Sequence, residues 1–540
     1  LDAVTICLTL MMIVVVSGVV GRSVSKLVPL PLVQIAFGAI AGLVPTLTIN
    51  LQPDLFFLLL VPPLLFIDGW RIPADELIRD RWNILHMALG LVVATVLVVG
   101  AFIALLVPTL PVGAALALAA ALAPTDPISV TSIAQRVAIP RRMLNLLEAE
   151  SLLNDATGLI CLRFAVVFLL TGSFSTVSAG ITFVWVAVAG LCIGFGTTQS
   201  IARAKTWIAS RIGEDAGSEI AVSLLIPFIA YLVAEAASAS GLFAAVAAGV
   251  TMARAEATGL ALGATRIQRR AVWDSVEFIA NGIVFVLLGE QLPKILAAAK
   301  TTVAQTMHHS LWWPMMLICA IYGAMVTLRL VWVWTSVILS RRDTILGPLP
   351  DWRLIVATTL AGTRGAVTFA GILTLPLALS EGDAFEQRDL VILIAMGAII
   401  LSLITAAIGL PLLLTSGSAF PSSEPAGELD ARSVAATAAL AEIARISALH
   451  TSPDIQANTY AAAAALVSKT YAQRLALFQP QNSEVRSTQP DAIVLQELQL
   501  AAVRAERKSI FLSRRQKSIS AAVARRLVRE LDLLEAHFEV

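Results

Sequence analysis

The apolar residues of this chain fall into long runs separated by short charged or turn-rich breaks. Thirteen runs stand out, at residues 2–20, 28–45, 54–70, 83–108, 112–134, 143–171, 181–200, 218–236, 240–253, 274–292, 312–338, 353–376 and 388–415. A helix needs about 20 mostly apolar residues to cross the roughly 30 Å hydrocarbon layer of a bilayer. The pattern therefore predicts an all-α polytopic membrane protein with about thirteen transmembrane helices. Only Glu235 and Ser240–Gly241 divide the eighth run from the ninth. The first run lacks a basic lead and a cleavage site, so it reads as a span and not a signal peptide. From Ser416 the chain turns to Ser-Gly-Ser and Pro-Ser-Ser-Glu-Pro, a linker composition. The predicted division is a membrane domain at 1–415 and a mostly helical cytoplasmic domain at 416–540.

Composition agrees with that division. The chain is 57% hydrophobic and 14% charged, against roughly 45–50% and about 25% in soluble globular proteins. Of its 75 charged residues, 48 lie in 1–420 and 27 in the last 120. A net charge of +1 with no basic face standing out rules out nucleic-acid binding as the main reading. The charges also orient the spans. With residue 1 outside, one set of loops carries 17 basic residues, among them Arg22, Arg71, Arg141, Arg211, Arg254, Arg270 and Arg341. The opposite loops hold Lys294, Lys300 and Arg388. Basic loops stay cytoplasmic, so thirteen spans with the N-terminus out and the C-terminal tail inside are expected. A miscounted span would have broken the alternation partway. The lack of an Asn-x-Ser/Thr sequon fits a bacterial inner membrane. Cys7, Cys161, Cys192 and Cys319 stand singly in apolar segments and read as small buried hydrophobes.

Ionisable groups inside spans are costly and mark function by default. The first cluster, Ala123-Pro124-Thr125-Asp126-Pro127, interrupts the fifth run. Two prolines three residues apart remove backbone donors and crowd the preceding turn, which predicts a broken helix. The freed carbonyls then need a bound cation or a crossing helix; the alternative is a simple kink with Asp126 capping the next half-helix. The second cluster is Glu150-Ser151-Leu152-Leu153-Asn154-Asp155 in the sixth run. Glu150 and Asn154 share one helix edge, and Ser151 and Asp155 the next. The third is Gly362-Thr363-Arg364-Gly365 in the twelfth run, where glycines permit unwinding around a fixed cation. Arg364 is the expected partner of Glu150, which leaves Asp155 free. Arg163, within the sixth run, has no evident partner in the sequence.

The fifth and twelfth spans are seven apart and so cross in opposite directions. Two mid-span breaks at matching positions of two halves point to a transporter site at the midplane. The expected architecture is two inverted six-helix repeats with crossed, partly unwound helices, the seventh span joining them.

Glu150-Ser-Leu-Leu-Asn-Asp155 resembles the signature of monovalent cation:proton antiporters, in the branch of bacterial NhaP proteins and eukaryotic Na⁺/H⁺ exchangers. Phe56 through Gly69, Pro124-Thr125-Asp126-Pro127, Tyr231 through Gly241, Trp273 through Gly289, and Gly362 through Val367 resemble further blocks of that family in its order. The resemblance implies a homodimer, each protomer with a dimerisation domain and a six-helix core domain. It implies that Asp155 carries cation and proton alternately. Ser151, Asp126 and the Thr125 carbonyl would complete the cation's oxygen shell, with Glu150, Asn154 and Arg364 as a fixed network beside it. Asp68 is drawn in by a shorter match. An Asn-Asp pair implies electroneutral one-for-one exchange. One departure stands out: where animal exchangers carry a Gln-Gly and an Arg late in the last span, this chain has Ile404 through Pro411 without an Arg.

The expected function is a secondary transporter, not an enzyme. It exchanges Na⁺, or K⁺ or Li⁺, for H⁺ without a cofactor and so serves pH homeostasis. A membrane sensor that keeps the fold without turnover is the alternative. No HExxH, GxSxG or P-loop supports a hydrolase or an ATP-driven pump. Glu277 and Asn281, i and i+4 in the tenth run, read as a structural hydrogen-bonding face. In the tail, Val523, Leu527, Leu531, Leu534 and Phe538 form an apolar stripe, and nine basic residues against one acid occupy 504–529. That segment is expected to pack on its own helices or the dimer mate, or to meet the anionic inner leaflet.

Overall fold

A computed structural model of the chain describes residues 3–24, 28–44, 53–71, 85–126, 130, 141–172, 176–212, 215–257, 263–305, 312–339, 352–376, 378, 385 and 387–414, with scattered positions between 437 and 535. The chain packs as two units, Leu1–Phe420 and Pro421–Val540. In the second unit the described positions are helical. Pro127, most of the tail's apolar stripe and its basic segment lie outside the described residues.

The first unit is helical at each of the thirteen expected runs. Its helices are α1 (Ala3–Val24), α2 (Leu30–Gly42), α3 (Pro53–Arg71), α4 (His86–Leu106), α5 (Val112–Leu122), α6 (Arg141–Thr171) and α7 (Thr176–Ile212). They continue as α8 (Ala216–Ala236), α9 (Gly241–Ala257), α10 (Gly263–Gln305), α11 (Trp312–Leu339), α12 (Trp352–Leu360), α13 (Ala366–Leu373) and α14 (Arg388–Leu414). Among the described residues, eight helices are long and apolar enough to cross a membrane. Their outward faces carry large apolar side chains such as Leu8, Met12, Leu105, Ile181 and Trp185, the surface a lipid-facing helix needs. At 37 and 43 residues, α7 and α10 measure about 55 and about 65 Å at 1.5 Å per residue, so each overruns the hydrocarbon layer.

The helices sort into two packing groups. α1, α2, α3, α7, α8, α9 and α10 pack chiefly on one another; α4, α5, α6, α11, α12, α13 and α14 form the other group. Lipid tails are as apolar as leucine, so helices associate in a membrane through close packing and not through burial alone. Small residues supply that packing here. Gly38 and Gly42 of α2 lie under the carbonyls of Val286 and Glu290, and Gly289 of α10 lies under that of Ile35. Gly190 and Gly194 of α7 seat against α9 in the same way. In the second group, α5 is alanine-rich and buried from Gly113 to Ala115 and from Ala117 to Leu122. It lies against α6, where Gly158 makes room for the Pro124 ring.

The interruptions fall where proline and glycine predict. α5 stops at Leu122 and the chain has no regular secondary structure through Pro124–Asp126. The twelfth run splits into α12 and α13, nine and eight residues long, around Gly362–Gly365. Neither half spans the roughly 30 Å layer alone.

Candidate functional site

The two interruptions meet. The Asp126 amide donates to the Thr363 carbonyl at 2.7 Å, and the Thr363 hydroxyl donates back to the Asp126 carbonyl at 2.5 Å. Each break thereby satisfies backbone groups that the other's unwinding freed, the condition for non-helical backbone at membrane depth. Gly365 lies against the Asp126 carboxylate so closely that any Cβ there would overlap it. Gly365→Ala is therefore expected to push the two breaks apart. Overpacking of this kind costs about 1–3 kcal/mol, read as a lower unfolding temperature in detergent together with loss of most transport. A variant with unchanged transport would count against the crossing as the seat of function.

α6 supports the fifth-run break from the side. Ser151 donates its hydroxyl to the Thr125 carbonyl at 2.6 Å. Asn154 donates Nδ2 to the Thr125 hydroxyl at 2.7 Å, and its Oδ1 accepts from the Thr125 amide at 3.5 Å. Neighbouring polar positions of α6 thus serve different tasks: Ser151 and Asn154 hold the break, while Asp155 faces a cavity. That cavity lies between the two helix groups. α3 contributes Asp68 and α10 contributes Asn281; the fifth-run break gives Thr125 and Asp126, α6 gives Ser151 and Asp155, and α13 gives Thr368. Asp155 is only 4% exposed, and its Oδ1 has no hydrogen-bond partner among the described residues. The same holds for the Thr368 hydroxyl and for both amide atoms of Asn281. Buried polar atoms are almost always paired, so several orphaned oxygens around one cavity mark a place built for a ligand that supplies the missing interactions. Carboxylate, hydroxyl and amide oxygens are the donors that hard monovalent and divalent cations take.

The expected pairing of Glu150 with Arg364 is not what the structure contains. Glu150, with no exposed surface, is bound by Arg329 of α11, whose Nη1 and Nη2 donate to its two carboxylate oxygens, the latter at 2.9 Å. Arg329 also lies against Gly362, which has no side chain to exclude it: a Cβ there would stand 2.6 Å from Arg329 Nε. Arg364 turns back into its own break. Its Nη1 donates to the Gly362 carbonyl at 2.6 Å and its amide donates to the Ser402 hydroxyl at 2.9 Å. The physical reason is local. Unwinding after α12 leaves carbonyls unpaired at a helix C-terminus, and the nearest cation satisfies one of them. Arg329 escaped the sequence reading although it is a lone charge in an apolar span, the same criterion that singled out Arg364.

The polar face expected of Glu277 and Asn281 also divides. Glu277 pairs with Arg71, whose Nη1 lies 2.6 Å from Oε1 and which also holds Asp274 at 3.0 Å. Asn281, one turn on, makes no interhelical hydrogen bond among the described residues and faces the cavity instead. Arg163 pairs with Glu235 at 3.2 Å.

The family described as "Sodium/hydrogen exchanger, transmembrane" matches residues 8–416. The chain belongs to the sodium/hydrogen exchanger family. It is 35% identical over 537 residues to the uncharacterized Na(+)/H(+) exchanger YjcE of Escherichia coli K12, covering 98% of this chain and 97% of that protein. It is 38% identical over 415 residues to the sodium, potassium, lithium and rubidium/H(+) antiporter of Bacillus pumilus, covering 75% of this chain and 60% of that one. In fold it is similar to the sodium proton antiporter MjNhaP1 from Methanocaldococcus jannaschii, with a TM-score of 0.59 at 17% identity over 77% of this chain and 99% of that one. The protein is accordingly an integral membrane cation/proton antiporter, a secondary transporter and not an enzyme.

Proposed function

We propose that this exchanger trades one monovalent cation, Na⁺ first among them, for one proton, with the two competing for Asp155. The observation that carries the reading is the orphaned Asp155 Oδ1 in a buried cavity shared with Asp68, Asp126, Thr125 and Ser151. A carboxylate there is satisfied either by a proton or by a cation whose remaining ligands come from neighbouring oxygens. Either loaded form neutralises the charge of Asp155, whereas the empty form leaves it bare, which a low-dielectric barrier opposes. Exchange is then obligatory and leak is suppressed. Asp126, Ser151 and the Thr125 carbonyl contribute oxygens to the cation, and Asp68 contributes from α3. Asn154, Glu150 and Arg364 hold the surroundings in place, each through a different contact. The name of the Bacillus pumilus relative keeps K⁺ and Li⁺ open as alternative cargo.

The asymmetry of basic loops supports the N-terminus outside and the 416–540 domain in the cytoplasm, and the lack of an Asn-x-Ser/Thr sequon fits a bacterial inner membrane. The family resemblance supports a homodimer. Proton flux in proteoliposomes under Na⁺, Li⁺ and K⁺ gradients, with the membrane potential free or clamped, tests the reading. Na⁺-driven flux that ignores the clamp is expected. A rate that follows the potential would overturn one-for-one exchange, and the absence of flux under all three cation gradients would favour a sensor.

A further inference from the structure

Asn281 is 5% exposed, lines the same cavity as Asp68, Asp126 and Asp155, and has neither Oδ1 nor Nδ2 hydrogen-bonded among the described residues. A carboxamide brings one acceptor oxygen and two donor hydrogens, and native interiors rarely leave all of them unmet. The backbone beneath it is also fixed. At Gly282, the next residue, a Cβ would stand 2.9 Å from Gln34 Nε2 and overlap Val14. At Gly289, two turns on, it would overlap the Ile35 carbonyl. One turn before, Arg71 holds Glu277. α10 is thus pinned against α1, α2 and α3 on both sides of Asn281, and the helix has no freedom to rotate the amide toward another partner.

We propose that Asn281 is a specificity-determining residue of the transport site, presenting its Oδ1 to the cation from α10. This rests on the reading that Asp155 exchanges the cation, and it adds a ligand from the other helix group. An amide oxygen ligates a hard cation without adding charge, so the exchanged charge stays at one. A ligand on a wall that cannot yield sets the cavity's size, and size with ligand number is what separates cations of equal charge.

The test uses the full chain in proteoliposomes, with Asn281→Ala, Asn281→Ser and Asn281→Asp beside Asp155→Asn. Loss of a hydrogen-bond-strength contact to a charged group corresponds to about ten-fold or more in affinity. Asn281→Ala is therefore expected to raise the half-saturating Na⁺ concentration by about ten-fold and to change the Na⁺:Li⁺:K⁺ preference. Asn281→Ser, which keeps an oxygen, recovers part of both. Asn281→Asp nearly preserves the volume, and its altered ion preference is read even if the alanine variant fails to assemble. A structural role alone would lower the maximal rate and unfolding temperature at constant ion preference, and that result overturns the inference. Asp155→Asn that still exchanges overturns the Asp155 reading and this one together. An inactive Asp155→Asn beside unchanged ion preference in the Asn281 variants overturns this one alone.

Discussion

Asp155→Asn is expected to reduce cation-driven proton flux to the level of empty liposomes while leaving the protein as stable as before, or more so. The two halves of that expectation have one cause. Asp155 is buried with an unpartnered oxygen, and burying an unpaired charge or polar oxygen costs free energy. The amide of asparagine has nearly the same volume and cannot carry the charge, so the fold loses an unfavourable term. Transport loses the carboxylate at which cation and proton compete, since an amide neither releases a proton nor balances a cation. A ligand that binds only the folded state stabilises it, by an amount that grows with the logarithm of its concentration above Kd. Na⁺ should therefore raise the unfolding temperature of the wild-type protein in detergent and leave that of the variant unmoved. An inactive variant with a lower unfolding temperature would indicate damage to packing. Retained Na⁺-driven flux would remove Asp155 from the mechanism.

The spans and the two breaks were readable because each rests on a local rule. Apolar runs of about twenty residues have one stable form in lipid, and Pro124 and the glycines around Arg364 cannot continue a helix unaided. Their meeting at Asp126 and Thr363 followed from matching positions in opposite spans. Which cation meets which acid did not follow. Glu150 and Arg364 are separated by more than 200 residues, and sequence gives neither the rotation of α11 about its axis nor the reach of its side chains. Arg329 stands alone in an apolar helix with no motif around it, so only its cost in lipid pointed to it. The spacing of Glu277 and Asn281 correctly put them on one helix face. That face runs from an ion pair with Arg71 into the cavity, and spacing does not show where one environment ends and the next begins.

Breaking the Glu150–Arg329 pair is the second large effect expected. Both groups are buried, Arg329 at 3% exposure, and its fork meets the carboxylate at both oxygens. Removing one partner from such a pair strands a charge and costs about 3–5 kcal/mol, a large fraction of the roughly 5–15 kcal/mol of an ordinary protein's stability. Glu150→Gln and Arg329→Gln should each lower the unfolding temperature sharply or prevent assembly. Because the penalty comes from the stranded charge, Glu150→Leu combined with Arg329→Met should restore most of the stability, as hydrophobic replacements of whole buried pairs often do. Arg364→Gln should cost less, since it loses a contact to the Gly362 carbonyl worth about 1.5–3 kcal/mol and relieves a buried charge. A double-mutant cycle then separates the two arginines. Strong coupling of Glu150 to Arg329 with weak coupling to Arg364 is the expected result, and the reverse order would return the pair to Arg364. If the double replacement is stable yet transports poorly, the pair acts as a tie between α6, α11 and α12, because Arg329 also lies against Gly362 at the head of the second break.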